Sequence, residues 1–205
     1  KILASAGAEY VYIDDDHRYI FNGRAGTWGC MCDLHIAEFS KYSNRQWTRE
    51  TLQDAIYNDF EVRKQWITFL RGTLEEIAAV IEKAAHSVNP DMKIGVMVPC
   101  LHAMVSSDYD LHKMARILQP DGKYLLRPCI GPYCDRDRLQ IIPGLFYMES
   151  IGHLIGDDAE YTPEIETTPF TRFSKSMEVI RLHISQGIVN RMPNPAISAC
   201  GYVGN

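Results

Sequence analysis

No stretch of the sequence approaches the roughly 20 consecutive apolar residues that span a bilayer, so no membrane association is expected. The first residues, KILASAGAEYVYIDDD, lack the charged n-region and the cleavage pattern of a signal peptide. Lys and Arg never run together interleaved with aromatics, and the formal net charge is -5. Phosphate backbones therefore exert no general attraction, and nucleic acid is not an expected partner. A Gly-rich phosphate cradle of the P-loop or dinucleotide type is also missing, which lowers the expectation of cofactor chemistry. Cysteine is sparse: the six, at 30, 32, 100, 129, 134 and 200, are not set at the spacings of a small disulfide scaffold, so mostly free thiols are expected. A soluble chain follows, cytoplasmic or periplasmic.

What the sequence does have is regular alternation. With 205 residues and 46% hydrophobic composition, one sizeable core can be buried. GAEYVYID (7–14) reads as a strand. Residues 62–86 read as a long amphipathic helix with Ile67, Leu70, Leu74, Ile77, Ile81 and Ala84 on its apolar face, ending near Asn89 and Pro90. KIGVMVP (93–99), KYLLRPCI (123–130), AEYTPEIE (159–166) and the start of GIVNRM (187–192) read as four more strands. The helical patterns between them are 108–120, 137–156 and 174–187. Strand and helix alternating in this way give an α/β fold with a parallel sheet. Both an open doubly wound sheet and part of a (β/α)8 TIM barrel, usually about 250 residues, satisfy the pattern. The chain opens on what reads as the end of a helix and stops just after a strand. The expectation is therefore a partial barrel over 1–205, its C-terminal half with strands four to eight.

In either architecture the chemistry sits outside the carboxyl ends of the strands. Those exits carry Asp14, Asp15, Asp16, His17 and Arg18; Pro99 to His102; Arg127 to Tyr133; Glu164 and Glu166; and Asn190 with Arg191. Strand alternation puts Glu164 and Glu166 on one face, opposite Ile165. Two acids inside a strand are costly unless that face lines a polar cavity or meets a structural arginine. The three aspartates read either as a turn cluster at a strand end or as active-site acids. Paired carboxylates across a mouth are what glycoside hydrolysis requires, and crowded like charge raises the pKa of one member so that it can act as the acid. Arg18, Arg127, Tyr133 and His102 are candidates for holding substrate hydroxyls or for packing.

The segments YIDDDHRY, GCMCDLHIAEFS and WTRETL, followed much later by EIETTPF, resemble family 42 glycoside hydrolases, the β-galactosidase-like barrels of the retaining clan. The resemblance covers nearly the whole chain as architecture, but two or three short motifs carry it. It implies that Asp16 stands where the family has its acid/base glutamate, Asp15 where the preceding asparagine stands, and Glu166 at the nucleophile. Asp14, Asp15 and Glu164 are the catalytic alternatives. Aspartate in place of glutamate is one methylene shorter, so either the backbone reaches further in or another residue takes the role. Cys30, Cys32 and His35 match the family's structural zinc position, with His35 in place of the last cysteine. Three ligands fall short of the four of a tetrahedral site, and buried thiols beside a helix-start histidine remain the other reading.

The function expected is a glycoside hydrolase of β-linked hexosides, with a carbohydrate as partner and no cofactor for catalysis beyond a structural zinc. Its rivals are a β-mannosidase or other glycosidase on the same fold, a metal-dependent hydrolase using Asp14, Asp16, His17 and a glutamate, and a carbohydrate-binding barrel without turnover. A homo-oligomer is compatible with all of them.

Overall fold

A computed structural model describes residues 1–15, 17–19, 28–99, 104–105, 109–166 and 174–197. After a short helix α1 (Ile2–Ser5) come β1 (Tyr10–Ile13), α2 (Asp33–Tyr42), α3 (Arg49–Asn58), α4 (Phe60–His86), β2 (Lys93–Val98), α5 (Leu111–Leu118) and β3 (Tyr124–Pro128). A 3-10 turn, Asp135–Gln140, leads into α6 (Ile141–Ile155), followed by β4 (Ala159–Tyr161), β5 (Glu164–Ile165), α7 (Met177–Val189) and β6 (Ala196–Ile197). The first sheet is parallel throughout in the order β1-β2-β3-β4, and β5 pairs parallel with β6. The class is mixed α/β with a parallel four-stranded sheet, and no closed barrel is formed among the described residues.

AEYTPEIE is not one unbroken strand. It divides at Thr162 and Pro163, where proline has no N–H to give the ladder. The register is nevertheless kept: Tyr124 faces Ala159, and further along Cys129 bridges to Glu164 in the same parallel sense. Thr162 donates its amide to Leu126 O at 2.9 Å, and Ala196 donates to Pro163 O at 2.9 Å. The two segments thus carry the ladder from β3 across to β6.

Alternation gives the sheet two unlike faces. Ile94, Val96, Val98, Tyr124, Leu126 and Ala159 are buried in one core with side chains of α4, α5 and α6. Ile165 and Ile130 continue that face into a smaller cluster with Met148 of α6, Met192, and Ile180 and Ile184 of α7. The opposite face is polar and layered. Lys93 meets Glu160 at 2.6 Å, Tyr12 hydrogen-bonds Thr162, and Arg127 lies against Met97 and Glu164. Gly95 sits in the Tyr12 layer because nothing larger fits: a Cβ there would lie 2.7 Å from Leu125 O and 2.8 Å from the Tyr12 ring.

Helix α4 is capped by the Asp59 carboxylate, which accepts from Glu61 N at 2.9 Å and Val62 N at 3.2 Å. Its buried stripe is Val62, Trp66, Leu70, Leu74, Ala78 and Ala85. Leu70 and Leu74 lie on the stripe expected from the aliphatic spacing, but Trp66, Ala78 and Ala85 are buried in place of Ile67, Ile77 and Ala84, and Ile77 is left exposed. The reason is division of labour. Val62, Trp66 and Leu70 pack with Phe39, Trp47, Leu52 and Ile56 of α2 and α3 and their connection, while Leu74, Ala78 and Ala85 belong to the sheet core, where small alanines let helix and strands approach.

A strand starting at GIVNRM is corrected by the structure: Gly187, Ile188 and Val189 form the last turn of α7, and the strand is Ala196–Ile197. Gly187 acts by close approach rather than as a helix stop. A Cβ on it would come within 2.8 Å of Met192 O and 3.6 Å of Pro163. Among the described residues, no helix is long and apolar enough to cross a membrane.

Candidate active site

The carboxyl ends of β3 and β5 bring together Arg127, Cys129, Tyr133, Glu164 and Glu166, and the turn before α7 adds Lys175. Glu164 is buried at 8% exposure, with Oε2 3.4 Å from Arg127 Nη2. Arg127 itself is anchored by donating from Nη1 to Met97 Sδ at 3.1 Å. Burial, and next a hydrogen bond with the Glu166 carboxyl, push Glu164 up to about 7 against the pull of Arg127.

Several groups around this dyad, Cys129, Tyr133 and His183, are held neutral. Burial, reinforced by the charge of Glu164, pushes the Cys129 thiol up to about 11. Burial likewise raises Tyr133, whose hydroxyl stays protonated and hydrogen-bonds Glu164. Lys175 is 8% exposed and its ammonium is pulled below its ordinary range by burial, while Cys129, Glu164, Asp135 and Glu166 favour the charged form. Its Nζ donates to His183 Nδ1 at 3.4 Å. Burial and then the neighbouring Lys175 depress fully buried His183 to about 4, so the imidazole is neutral and its remaining proton is on Nε2.

The turn that carries Lys175 is clipped to the loop that carries Tyr133. Asp135 donates its amide to Ser174 O at 2.8 Å, and its carboxylate accepts from Ser176 N at 2.9 Å. Those Ser176 contacts hold Asp135 below the usual carboxylate range. Ser176 in turn caps α7 through Val179 N.

At the end of β1, Asp14 is exposed and Asp15 is ion-paired with Arg18 at 2.7 Å. Arg18, expected among substrate-holding residues, has a side chain only 12% exposed and also donates to the Asp15 carbonyl, so it pins this turn. The charge of Asp15 acts on Tyr109 and on Cys129. His17 faces elsewhere: its amide donates to Asp14 O, and its Nε2 lies 3.1 Å from Leu74 O on α4. Asp16 and His102 lie outside the described residues. A cavity of about 790 Å³ opens beside Cys129 and Tyr133, walled by Phe146 and Tyr147. Tyr147 fixes that wall by donating to Val98 O and Pro99 O at the end of β2.

Cys30, Cys32 and His35 do come together, with ligand atoms all within 4.8 Å of one another. The backbone amide of His35 draws Cys32 below the usual thiol range, and Cys32 Sγ lies 3.2 Å from His35 Nδ1 at the start of α2. Tyr19 holds the other ring nitrogen at 3.3 Å. A soft donor set with an easily ionised thiol suits zinc, one ligand short of a tetrahedral set.

Lys175, His183, Cys129 and Asp135 were not legible as site residues. Lys175 and Asp135 sit in turns with no periodicity, and His183 reads as one more residue of an amphipathic helix. The one available signal was the strand parity of Cys129, two residues beyond Arg127. Comparison of the chain with protein-family models, with curated proteins and with solved structures gave no match.

Proposed function

We propose that this unit forms one side of a (β/α)8 barrel that hydrolyses β-linked hexosides, with Glu166 as nucleophile and Asp16, at the exit of β1, as acid/base. The observation that carries the reading is buried Glu164, ion-paired with Arg127, with half-buried Glu166 two residues further on at the carboxyl end of a parallel strand. Strand order in strict sequence, with helices packed on one face and layered polar residues on the other, supports the barrel over a doubly wound sheet, whose two faces would both be covered.

Glu164 is buried and tied to Arg127 at 3.4 Å, so it is read as a supporting carboxyl and not as one of the two catalytic carboxylates. Glu164 acts as the protonated neighbour of Glu166, and the second carboxylate comes from the β1 turn, where Asp15 already contributes to the field at Cys129. The aromatic wall of the adjoining cavity suits the apolar face of a sugar ring. The metal-dependent alternative loses support because His17 is turned onto Leu74. Cys30, Cys32 and His35 would hold a zinc that braces the start of α2, outside the reaction.

The test is turnover of a panel of aryl β-hexosides by the parent chain and by Glu166→Gln. A fall in kcat of at least about a thousandfold, with an α-configured azide adduct appearing when azide is added to Glu166→Ala, supports the nucleophile assignment. Full activity in Glu166→Gln, or activity abolished by a chelator and restored by a divalent ion, overturns it. Sugar binding with no turnover in the parent chain would instead select the carbohydrate-binding reading.

A further inference from the structure

Helix α4 ends on His86, and the chain turns from there into β2 through 87–92. The entry of β2 is short of ladder partners. Its pairing with β3 starts at Val96, opposite Leu126, so the backbone groups ahead of it must find donors and acceptors elsewhere. Side chains supply them. Gln119 Oε1 accepts from Ile94 N at 3.2 Å, and His86 Nε2 lies 2.8 Å from Met92 O. The other nitrogen of the same ring, Nδ1, lies 2.8 Å from Glu82 Oε1, one turn back on α4.

A carbonyl and a carboxylate only accept hydrogen bonds, and a neutral imidazole has one N–H to give. Two contacts of 2.8 Å to two acceptors therefore require the ring to carry both protons. The place favours that charge. His86 is in the last turn of α4, where the unpaired carbonyls form the negative end of the helix dipole, and Glu82 stands four residues before it, the favourable order for an acid and a base on one helix. Burial opposes the charge, but the hydrogen bonds to Glu82 and Met92 outweigh it and hold the imidazole above its ordinary value of 6.5. Among the ionisable groups of the surrounding elements, Glu82 acts on the ring. Lys83 of α4, Glu9 ahead of β1 and Asp91 in the turn are exposed, Lys93 is turned onto Glu160, and α1 has no charged side chain.

We propose that His86 is a protonation-dependent latch, an imidazolium that ties the C-terminal turn of α4 to the entry of β2 by donating to Glu82 and to Met92 O at once. The latch sits at the amino ends of the strands, apart from the carboxyl-end site, and does not rest on the hydrolase reading. It holds the point where the sheet begins. Met92 is in the sheet core, and Lys93 donates its amide to Glu9 O at 2.9 Å beside the first β1–β2 pair, Tyr10 with Lys93. Loss of one ring proton leaves a single N–H facing two acceptors, so one contact opens. Because the folded value stands above the unfolded one, the stabilisation is complete below 6.5 and is lost as pH rises through the folded value.

The experiment is a long-range 1H–15N correlation of the imidazoles of the full labelled chain from about pH 5 to 9, in the parent, in His86→Gln for assignment and in Glu82→Gln. His86 should show both nitrogens protonated and a midpoint above 6.5, and Glu82→Gln should bring that midpoint down. Hydrogen exchange reads the latch itself. Protection of the Met92 and Lys93 amides, referred to the intrinsic rate at each pH, should fall by at least about threefold as pH passes the midpoint, and the fall should vanish in His86→Gln. A midpoint at or below 6.5 in the parent overturns the proposal, and so does one that Glu82→Gln leaves unmoved. Protection that stays constant across a titration of the expected form also overturns it, because the proton would then hold nothing in place. The parent's own titration and exchange decide the matter if either variant fails to fold.

Discussion

Replacing Glu164 with glutamine should leave stability nearly unchanged at pH 4.5 and raise it at pH 8. A carboxyl whose folded pKa stands above its unfolded value stabilises the fold only while protonated in both states. That contribution is complete below the unfolded pKa and is lost as pH rises through the folded one. For Glu164 the window runs from the ordinary glutamate value of 4.5 to about 7. Glutamine is close in shape, keeps a carbonyl for Arg127 and cannot ionise, so it avoids the loss. A shift of this size corresponds to a ceiling of about 3 kcal/mol at 1.36 kcal/mol per unit. Relaxation around the ionised carboxylate reduces this, and about 1–2 kcal/mol is expected at pH 8. Solvent screening does not reduce it further, since the Glu164 side chain is only 9% exposed.

The assay is urea unfolding followed by far-UV circular dichroism at pH 4.5, 6, 7 and 8, with the two chains compared at each pH. Fully buried His183, depressed to about 4, adds its own pH dependence, because below its ordinary value the unfolded chain takes up a proton that the folded chain refuses. That term is common to both chains and cancels in the difference. The difference should grow between pH 4.5 and 7 and stay level above 7. Parallel curves across the whole range, or a glutamine variant less stable at pH 8, would refute a raised and buried Glu164.

Gly95→Ala should cost about 1–3 kcal/mol by overpacking, read from urea midpoints, because the new Cβ meets the Leu125 carbonyl and the Tyr12 ring, neither of which can swing away. Elemental analysis of the purified chain should find about one zinc per chain, and Cys32→Ser should lose it together with several degrees of melting temperature; no metal in the parent ends the zinc proposal. Trp66→Ala should cost about 3–5 kcal/mol, since Trp66 is fully buried, stacks against Phe69 and meets Phe39 edge-on, and donates to Trp28 O at 2.6 Å. A loss below about 1 kcal/mol would mean that the α2–α3 layer is not packed as described.

The parts of the fold that were legible are those with a long, single-minded signal. Residues 94–98 are a continuous apolar run with Gly95 inside it, and with Lys93 they form β2. The long helix was found within two residues of its start, yet its buried stripe was misjudged. Aliphatic spacing favoured Ile77 and Ile81, whereas the structure buries Trp66 against α2 and α3 and uses Ala78 and Ala85 where strands come close. Ile188 and Val189 show the converse. Two adjacent β-branched residues look like a strand, but Gly187 fits against the Met192 carbonyl and the helix runs on.

The site was legible as a place and not as a state of charge. Parity along 159–166 correctly set Glu164 and Glu166 on one side, and it survives the break at Pro163 because the β3 register is carried across it to Cys129. The same parity puts Arg127 and Cys129 on that face. Periodicity cannot reveal that Glu164 is 8% exposed, that the thiol beside it stays neutral, or that Lys175, in a turn before α7, is buried against His183. The turn that carries Lys175 is held by Asp135, a contact between segments some forty residues apart. Strand parity therefore chooses which acids share the polar face of the sheet. Burial, which only the packed structure supplies, then raises Glu164 above the ordinary carboxylate range against the pull of the arginine within its reach.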